Sequence, residues 1–208
     1  MSTSEPQGRL ILVRHGSTEW SKSGQHTGRT DLPLLPEGEQ DAYAVGRALE
    51  GRQYALVLSS PLARAARTAE LAGLGAELDG DLMEWDYGGY DGMTTKQIRE
   101  VAQPDWTVFK DGVIAGKTPG ESIDEVADRA RRVLGRIHTV LERADVVLVA
   151  HGHLLRVLAA VFLGQDPRTG AGLLLDAGSI SVLEYEKAVP AIRTWNWRPE
   201  QAAYPLEA

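Results

Sequence analysis

Three short apolar runs punctuate the chain: LILV at 10–13, YALVL at 54–58 and VVLVA at 146–150. None alternates with polar residues, as a strand with one solvated face would. Unbroken runs of this length suit strands covered on both faces, as in a parallel sheet. Between them the period changes. In 37–50, Ala42, Val45, Ala48 and Leu49 fall near one stripe at helical spacing. Residues 122–142 repeat that spacing with Ile123, Val126, Ala130, Val133, Ile137, Val140 and Leu141, which predicts a long amphipathic helix. Ser59-Ser60-Pro61 reads as the cap of a helix running to Leu71, with the proline at its start. A further helix is expected over 154–163, and late strands over 179–185 and 191–195.

Strands alternating with helices predict an α/β fold: a three-layer α/β/α sandwich with a mainly parallel central sheet. The 208 residues fit one domain, 1–208. One stretch resists the pattern. Residues 81–120 are rich in Gly, Trp, Tyr and Asp, and long connections of this kind are expected to form a lid or a site wall.

Composition narrows the chemistry. A net charge of −7 and the lack of a basic face argue against nucleic-acid and membrane-surface partners. An anionic ligand would need a local basic pocket. There are no cysteines, which excludes disulfides, thiolate nucleophiles and cysteine-held metals. The polar N-terminus lacks a signal-peptide core, so a cytoplasmic setting is expected.

Two of the apolar runs end alike, in Arg14-His15-Gly16 and in His151-Gly152. Ligands of open α/β sheets bind at the carboxyl ends of the strands. The expected fold therefore gathers Arg14, His15, Arg64 and His151 at one sheet edge. Two guanidiniums and two imidazoles, with no acid in the same motifs, describe an anion site. Arginine in particular offers planar, paired donors to phosphate oxygens.

Four segments in order carry a resemblance that runs over nearly the whole chain. They are Arg14-His15-Gly16 followed by Thr27-Gly28 and Leu34; SSPLARAARTAEL at 59–71; LMEWDYGGYDG at 82–92; and LVAHGHLLR at 148–156. Together they resemble the histidine phosphatase superfamily, which includes the phosphoglycerate mutases and many acid phosphatases. The resemblance implies a phosphoglycerate mutase-like fold. It implies that His15 is the nucleophile and forms a phosphohistidine. Arg14, Arg64 and His151 would hold the phosphoryl group, with Thr27 and Ser21 as further contacts, Ser21 standing where the family often has Asn. Glu84 would be the proton donor, with Asp86 as the runner-up and Asp81 and Asp91 as nearby rivals. No metal or cofactor is implied.

The expected substrate is a small phosphorylated metabolite, a sugar phosphate or bisphosphate. Neither nucleic acid nor membrane is expected as a partner, and a homo-oligomer stays open. Phosphoglycerate mutase-type transfer is the alternative, but the bases of 81–125 are only Lys96, Arg99, Lys110 and Lys117. A non-catalytic phosphate-binding relative is another alternative. A metal-dependent hydrolase using His15, His151 and His153 is a third. His153 stands two residues beyond His151 and so can point away from the site, and His26 can line its entrance; Arg156 can reach the site, although its place on a helix favours a structural pair. Trp85, Tyr87, Tyr90 and Trp106 either stack on substrate or pack the irregular segment.

Overall fold

A computed structural model describes residues 8–199. Its strands are β1 (Leu10–Arg14), β2 (Leu56–Ser59), β3 (Glu77–Leu78), β4 (Val146–Ala150), β5 (Ile180–Glu186) and β6 (Val189–Trp197). They form one six-stranded sheet in the order β3-β2-β4-β1-β5-β6. The first four strands of that order run parallel, whereas β5 and β6 pair antiparallel at one end. Leu10 pairs with Val146 and Arg14 with Ala150, so β1 and β4 end level with one another.

Alternation along the strands builds the three layers. Leu10, Leu12, Val146, Leu148 and Ala150 enter one core, which is covered by α6 (Ile123–Leu141) and α7 (Gly152–Phe162). Ile11, Val13, Val147 and Val149 enter the other, covered by α2 (Pro36–Leu49) and α3 (Ala63–Leu71). Every strand residue from Leu10 to Val13 and from Val146 to Ala150 is buried, which is why these runs carry no polar alternation.

Helix starts differ from expectation where a cap comes from far along the chain. α3 begins at Ala63, after Pro61, because the Asp31 carboxylate accepts its first N–H at 2.8 Å. Ser59 and Ser60 therefore do not cap it. α7 begins at Gly152, two residues earlier than the apolar run suggests, with His151 at its N-cap. α2 starts on Leu35, which supplies no side-chain cap.

The segment 81–120 is less irregular than its composition suggests. It holds α4 (Thr95–Val101) and α5 (Val108–Asp111), following the short α1 (Glu19–Ser23) in chain order. α4 is set by a capping box between Thr94 and Gln97. Leu82, Trp85, Tyr87, Tyr90, Ile98, Trp106 and Phe109 are all buried against the α6–α7 face. Trp85 thus packs the segment onto the core, whereas Tyr87 and Trp106, buried as well, each also line a cavity. No helix among the described residues is long and apolar enough to cross a membrane.

Candidate active site

The level ends of β1 and β4 bring His15 and His151 together, with ring centroids 5.1 Å apart. His15 is buried, and its Nδ1 lies 2.7 Å from the Gly16 carbonyl. A carbonyl only accepts, so Nδ1 carries the proton and Nε2 is left with its lone pair. Burial, then Arg64, then Arg14 push the His15 imidazole well below its ordinary pKa. The ring is therefore neutral near pH 7.

The loop behind His15 is held by main chain. A Cβ on Gly16 would fall 2.1 Å from the Gly38 carbonyl oxygen, and one on Gly38 would fall 2.1 Å from the Ser17 carbonyl oxygen. Only glycine permits that crossing. Gly152 also makes room for a neighbour, since a Cβ there would sit 3.3 Å from the Arg14 guanidinium carbon. Arg14 donates to the Leu175 carbonyl at 2.5 Å, but its buried Nε has no partner among the described residues. A buried donor calls for an acceptor, and Arg14 lines the cavity described below.

Glu84 meets this group from the other side. Its Oε1 accepts the N–H groups of Trp85 and Leu154, both at 2.9 Å, and its Oε2 accepts that of His153 at 3.0 Å. The carboxylate thus sits on the N-terminus of α7, where the helix dipole favours negative charge. The rival acids are engaged elsewhere. Asp86 accepts from Gly88 N–H and the Thr118 hydroxyl. Asp81 pairs with Arg132 and Arg136. Asp91 accepts from Gly28 N–H, Thr30 N–H and the Thr30 hydroxyl, bracing that loop.

A cavity of about 100 Å³ opens on Arg14, His15, Ser21, Thr27, Glu84 and His153 among its lining residues. Arg64 and His151 do not line it; both lie fully buried. Arg64 donates Nε–H to His151 Nδ1 at 3.1 Å, and its Nη groups to the carbonyls of Thr27, Gly28 and Thr30. His151 Nδ1 is thus an acceptor, and its Nε2–H faces the Ser60 hydroxyl at 2.7 Å. Ser21 lines the cavity, but its hydroxyl is engaged in the capping box of α1 with Thr18. A larger cavity, about 690 Å³, lies between the C-terminal ends of α2 and α3 and contains none of these residues. A phosphoryl group needs a small cradle with aligned donors, which favours the smaller cavity.

Two expectations change here. His153 does not point away: it lines the cavity, and its Nδ1 meets the Tyr87 hydroxyl. It can do so because residue 153 lies on a helix, where alternation of faces does not apply. Arg156 makes no ion pair among the described residues; it donates to the carbonyls of Gly170 and Ala171 and also reaches the cavity wall. His26 lines the entrance, as expected. Gln25 was not singled out by its sequence, although its place beside His26 and Thr27 is the signal that could have found it. Among the described residues, no three His, Cys, Asp or Glu side chains are grouped so as to hold a metal ion.

Several known proteins resemble this chain. The family model described as histidine phosphatase superfamily (branch 1) matches residues 10–198. An acid phosphatase of Mycobacterium tuberculosis is 38% identical over 184 residues, covering 87% of this chain and 88% of that protein. A sedoheptulose 1,7-bisphosphatase of Saccharomyces cerevisiae is 35% identical, covering 75% of this chain and 68% of that one. The solved structure of an open reading frame from M. tuberculosis superposes with a TM-score of 0.87 at 35% identity, covering 93% of this chain and 99% of that chain.

Proposed function

Because this chain belongs to branch 1 of the histidine phosphatase superfamily, we propose that it hydrolyses a small phosphorylated metabolite through a phosphohistidine on His15, without a metal. The chain is a phosphoric monoester hydrolase. The reading of mechanism rests on one observation above all: the His15 tautomer, fixed by Gly16, leaves Nε2 free beside Arg14, whose Nε has no partner among the described residues.

The chemistry proceeds in two transfers. In the first, His15 Nε2 forms a bond to phosphorus as the bond from phosphorus to the ester oxygen breaks. Glu84, which takes up a proton when the negatively charged ester is bound, gives that proton to the departing alkoxide. In the second, Glu84 takes a proton from water as the water oxygen attacks phosphorus. The phosphorus–nitrogen bond breaks, inorganic phosphate leaves, and His15 is again neutral. Arg14 stabilises the charge on the transferring group. Arg64 and His151, buried behind the cavity, support the phosphoryl oxygens, Arg64 exchanging a carbonyl partner to do so. Two difficult bond changes are thereby separated. Sugar phosphates or bisphosphates are the proposed substrates, with 81–120 as the wall that confines them. The acid phosphatase and bisphosphatase relatives support that class.

The test is labelling with a radioactive phosphate ester, followed by acid and alkaline quenching, with EDTA present. We expect an acid-labile, base-stable phosphoenzyme and release of inorganic phosphate. His15→Ala is expected to abolish both while remaining folded. Substantial turnover by His15→Ala, or loss of activity on chelation, would overturn the mechanism. Return of the label to a second hydroxyl of the substrate in place of phosphate release would indicate a mutase.

A further inference from the structure

Beside the cavity at His15 lies a second chamber of about 160 Å³, roughly five water volumes at about 30 Å³ each. The two share His26, His153 and Arg156. The chamber is otherwise walled by Trp106, Val108 and Phe109, with Thr95, Thr107 and Ala171 at its edges. The leaving group of a phosphate ester held at His15 therefore has this annex beside it, across the shared residues.

The charge of the annex is unusual for so acidic a chain. Its lining contains no carboxylate among the described residues. Burial holds His26 down to about 4 and His153 well below its ordinary pKa, so both rings are neutral at pH 7. Arg156 is then the one cation among the described residues of the wall. Its guanidinium carbon lies 4.6 Å from the Phe109 ring centroid. Nε and Nη2 donate to the carbonyls of Gly170 and Ala171, while Nη1 has no hydrogen-bond partner among the described residues. The two carbonyl bonds explain why the side chain is held still. They do not neutralise its charge; the Glu84 carboxylate acts on it from a distance but makes no ion pair with it among the described residues, so a half-buried guanidinium is left with donors that an anion can use.

We infer that Arg156 binds a second anionic group carried by the leaving group, a carboxylate or a second phosphate, with the aromatic annex receiving the carbon skeleton between the two anions. The inference rests on the phosphatase reading above and sharpens its substrate class. Substrates are esters with an anion at each end, and Arg14 and Arg156 each hold one end. Arg156 is a specificity-determining residue.

Matched pairs test this. 3-Phosphoglycerate and glycerol 3-phosphate differ chiefly by a carboxylate; fructose 1,6-bisphosphate and fructose 6-phosphate differ by a phosphate. We expect kcat/KM to favour the member with the second anionic group in at least one pair by about tenfold or more, as a charged hydrogen bond allows. The favoured pair identifies the anion. In Arg156→Gln that ratio should fall by about tenfold, mainly through KM, and Arg156→Lys should restore part of it. No preference in the wild-type enzyme for either pair would overturn the inference even if the variants fail to fold. So would a ratio unaltered in folded Arg156→Gln. If the wild-type enzyme turns over nothing, the mechanism has failed separately; the inference is then read from calorimetric binding of the same pairs to His15→Ala, where equal affinities refute it.

Discussion

Replacing Glu84 by glutamine separates its two roles, holding a helix and moving a proton. The carboxylate accepts two N–H groups on Oε1, from Trp85 and Leu154 at 2.9 Å, and one on Oε2, from His153 at 3.0 Å. A glutamine oxygen can take over the first pair. Its amide nitrogen would then face the His153 N–H, donor against donor. A buried N–H left unpaired costs about 1–3 kcal/mol. The lost charge at the start of α7 adds about 0.3–2 kcal/mol. Together they lower stability by about 2–4 kcal/mol and the melting temperature by roughly 5–15 °C for a chain of this size. Calorimetry reads that part. The proton-transfer part should depend on the leaving group. For glycerol 3-phosphate, whose alkoxide must be protonated, Glu84→Gln should reduce kcat by about 10²–10⁴. 4-Nitrophenyl phosphate has a leaving group that needs no proton, so the first transfer should survive while the second slows. Stopped-flow should then show a burst of nitrophenolate close to one per active site, followed by slow turnover. Equal losses on both substrates with no burst would show that Glu84 does not move the proton.

Two further outcomes follow from the same geometry. Burial holds His26 at about 4 and His15, His151 and His153 well below their ordinary values, so these rings bind protons near pH 6.5 only when the chain unfolds. Stability is then complete above that pH and declines as pH falls toward 4; urea midpoints should drop steadily from about pH 7 to about pH 4.5, and a flat profile would refute the assignment. Asp91→Ala removes the acceptor for three groups of the 28–30 loop whose carbonyls Arg64 holds, and should raise KM severalfold and cost about 1–3 kcal/mol in denaturant unfolding. Wild-type KM in that variant would mean that the loop is set by other contacts.

Much of this architecture is legible in the chain because its signals are local. LILV and VVLVA are buried on both faces, and an unbroken apolar run reports that directly; YALVL reads the same way, yet Ala55 is exposed and Leu56 and Val57 are only partly buried, because β2 lies next to the short β3 near the sheet edge. The long helix shows its stripe, and the histidines stand at strand ends, where topology must bring them together. What stayed hidden depends on partners distant in sequence. Asp31 caps α3 from 32 positions away, and Glu84 sets the start of α7 from about 70, so neither helix start is written beside the helix. The sequence leaves the aromatic residues of 81–120 between substrate and core, because burial depends on which surface a loop finally meets. Trp85 shows the result: it is fully buried and donates to the Glu121 carbonyl. Glu121 itself, which pairs with Arg129 and Arg29 to tie that segment to α6, had no local signature at all. For Arg156 the sequence leaves both a structural pair and a reach into the site open; its two carbonyl bonds are structural, and the shape of the cavity shows the reach as well.

The crossing of Gly16 and Gly38 constrains how such a protein can change. Most close contacts can be relieved by shrinking whatever stands opposite. Here what stands opposite each glycine is a peptide carbonyl, and no substitution makes a carbonyl smaller. Neither position therefore has a compensating partner. Second-site suppressors, common for crowded cores, should be missing for these two from any genetic selection. An engineer could redirect the enzyme by exchanging residue after residue along the cavity wall. Throughout, the engineer would be bound by two residues that have no side chain to exchange, and these settle how freely the rest of the site can be explored.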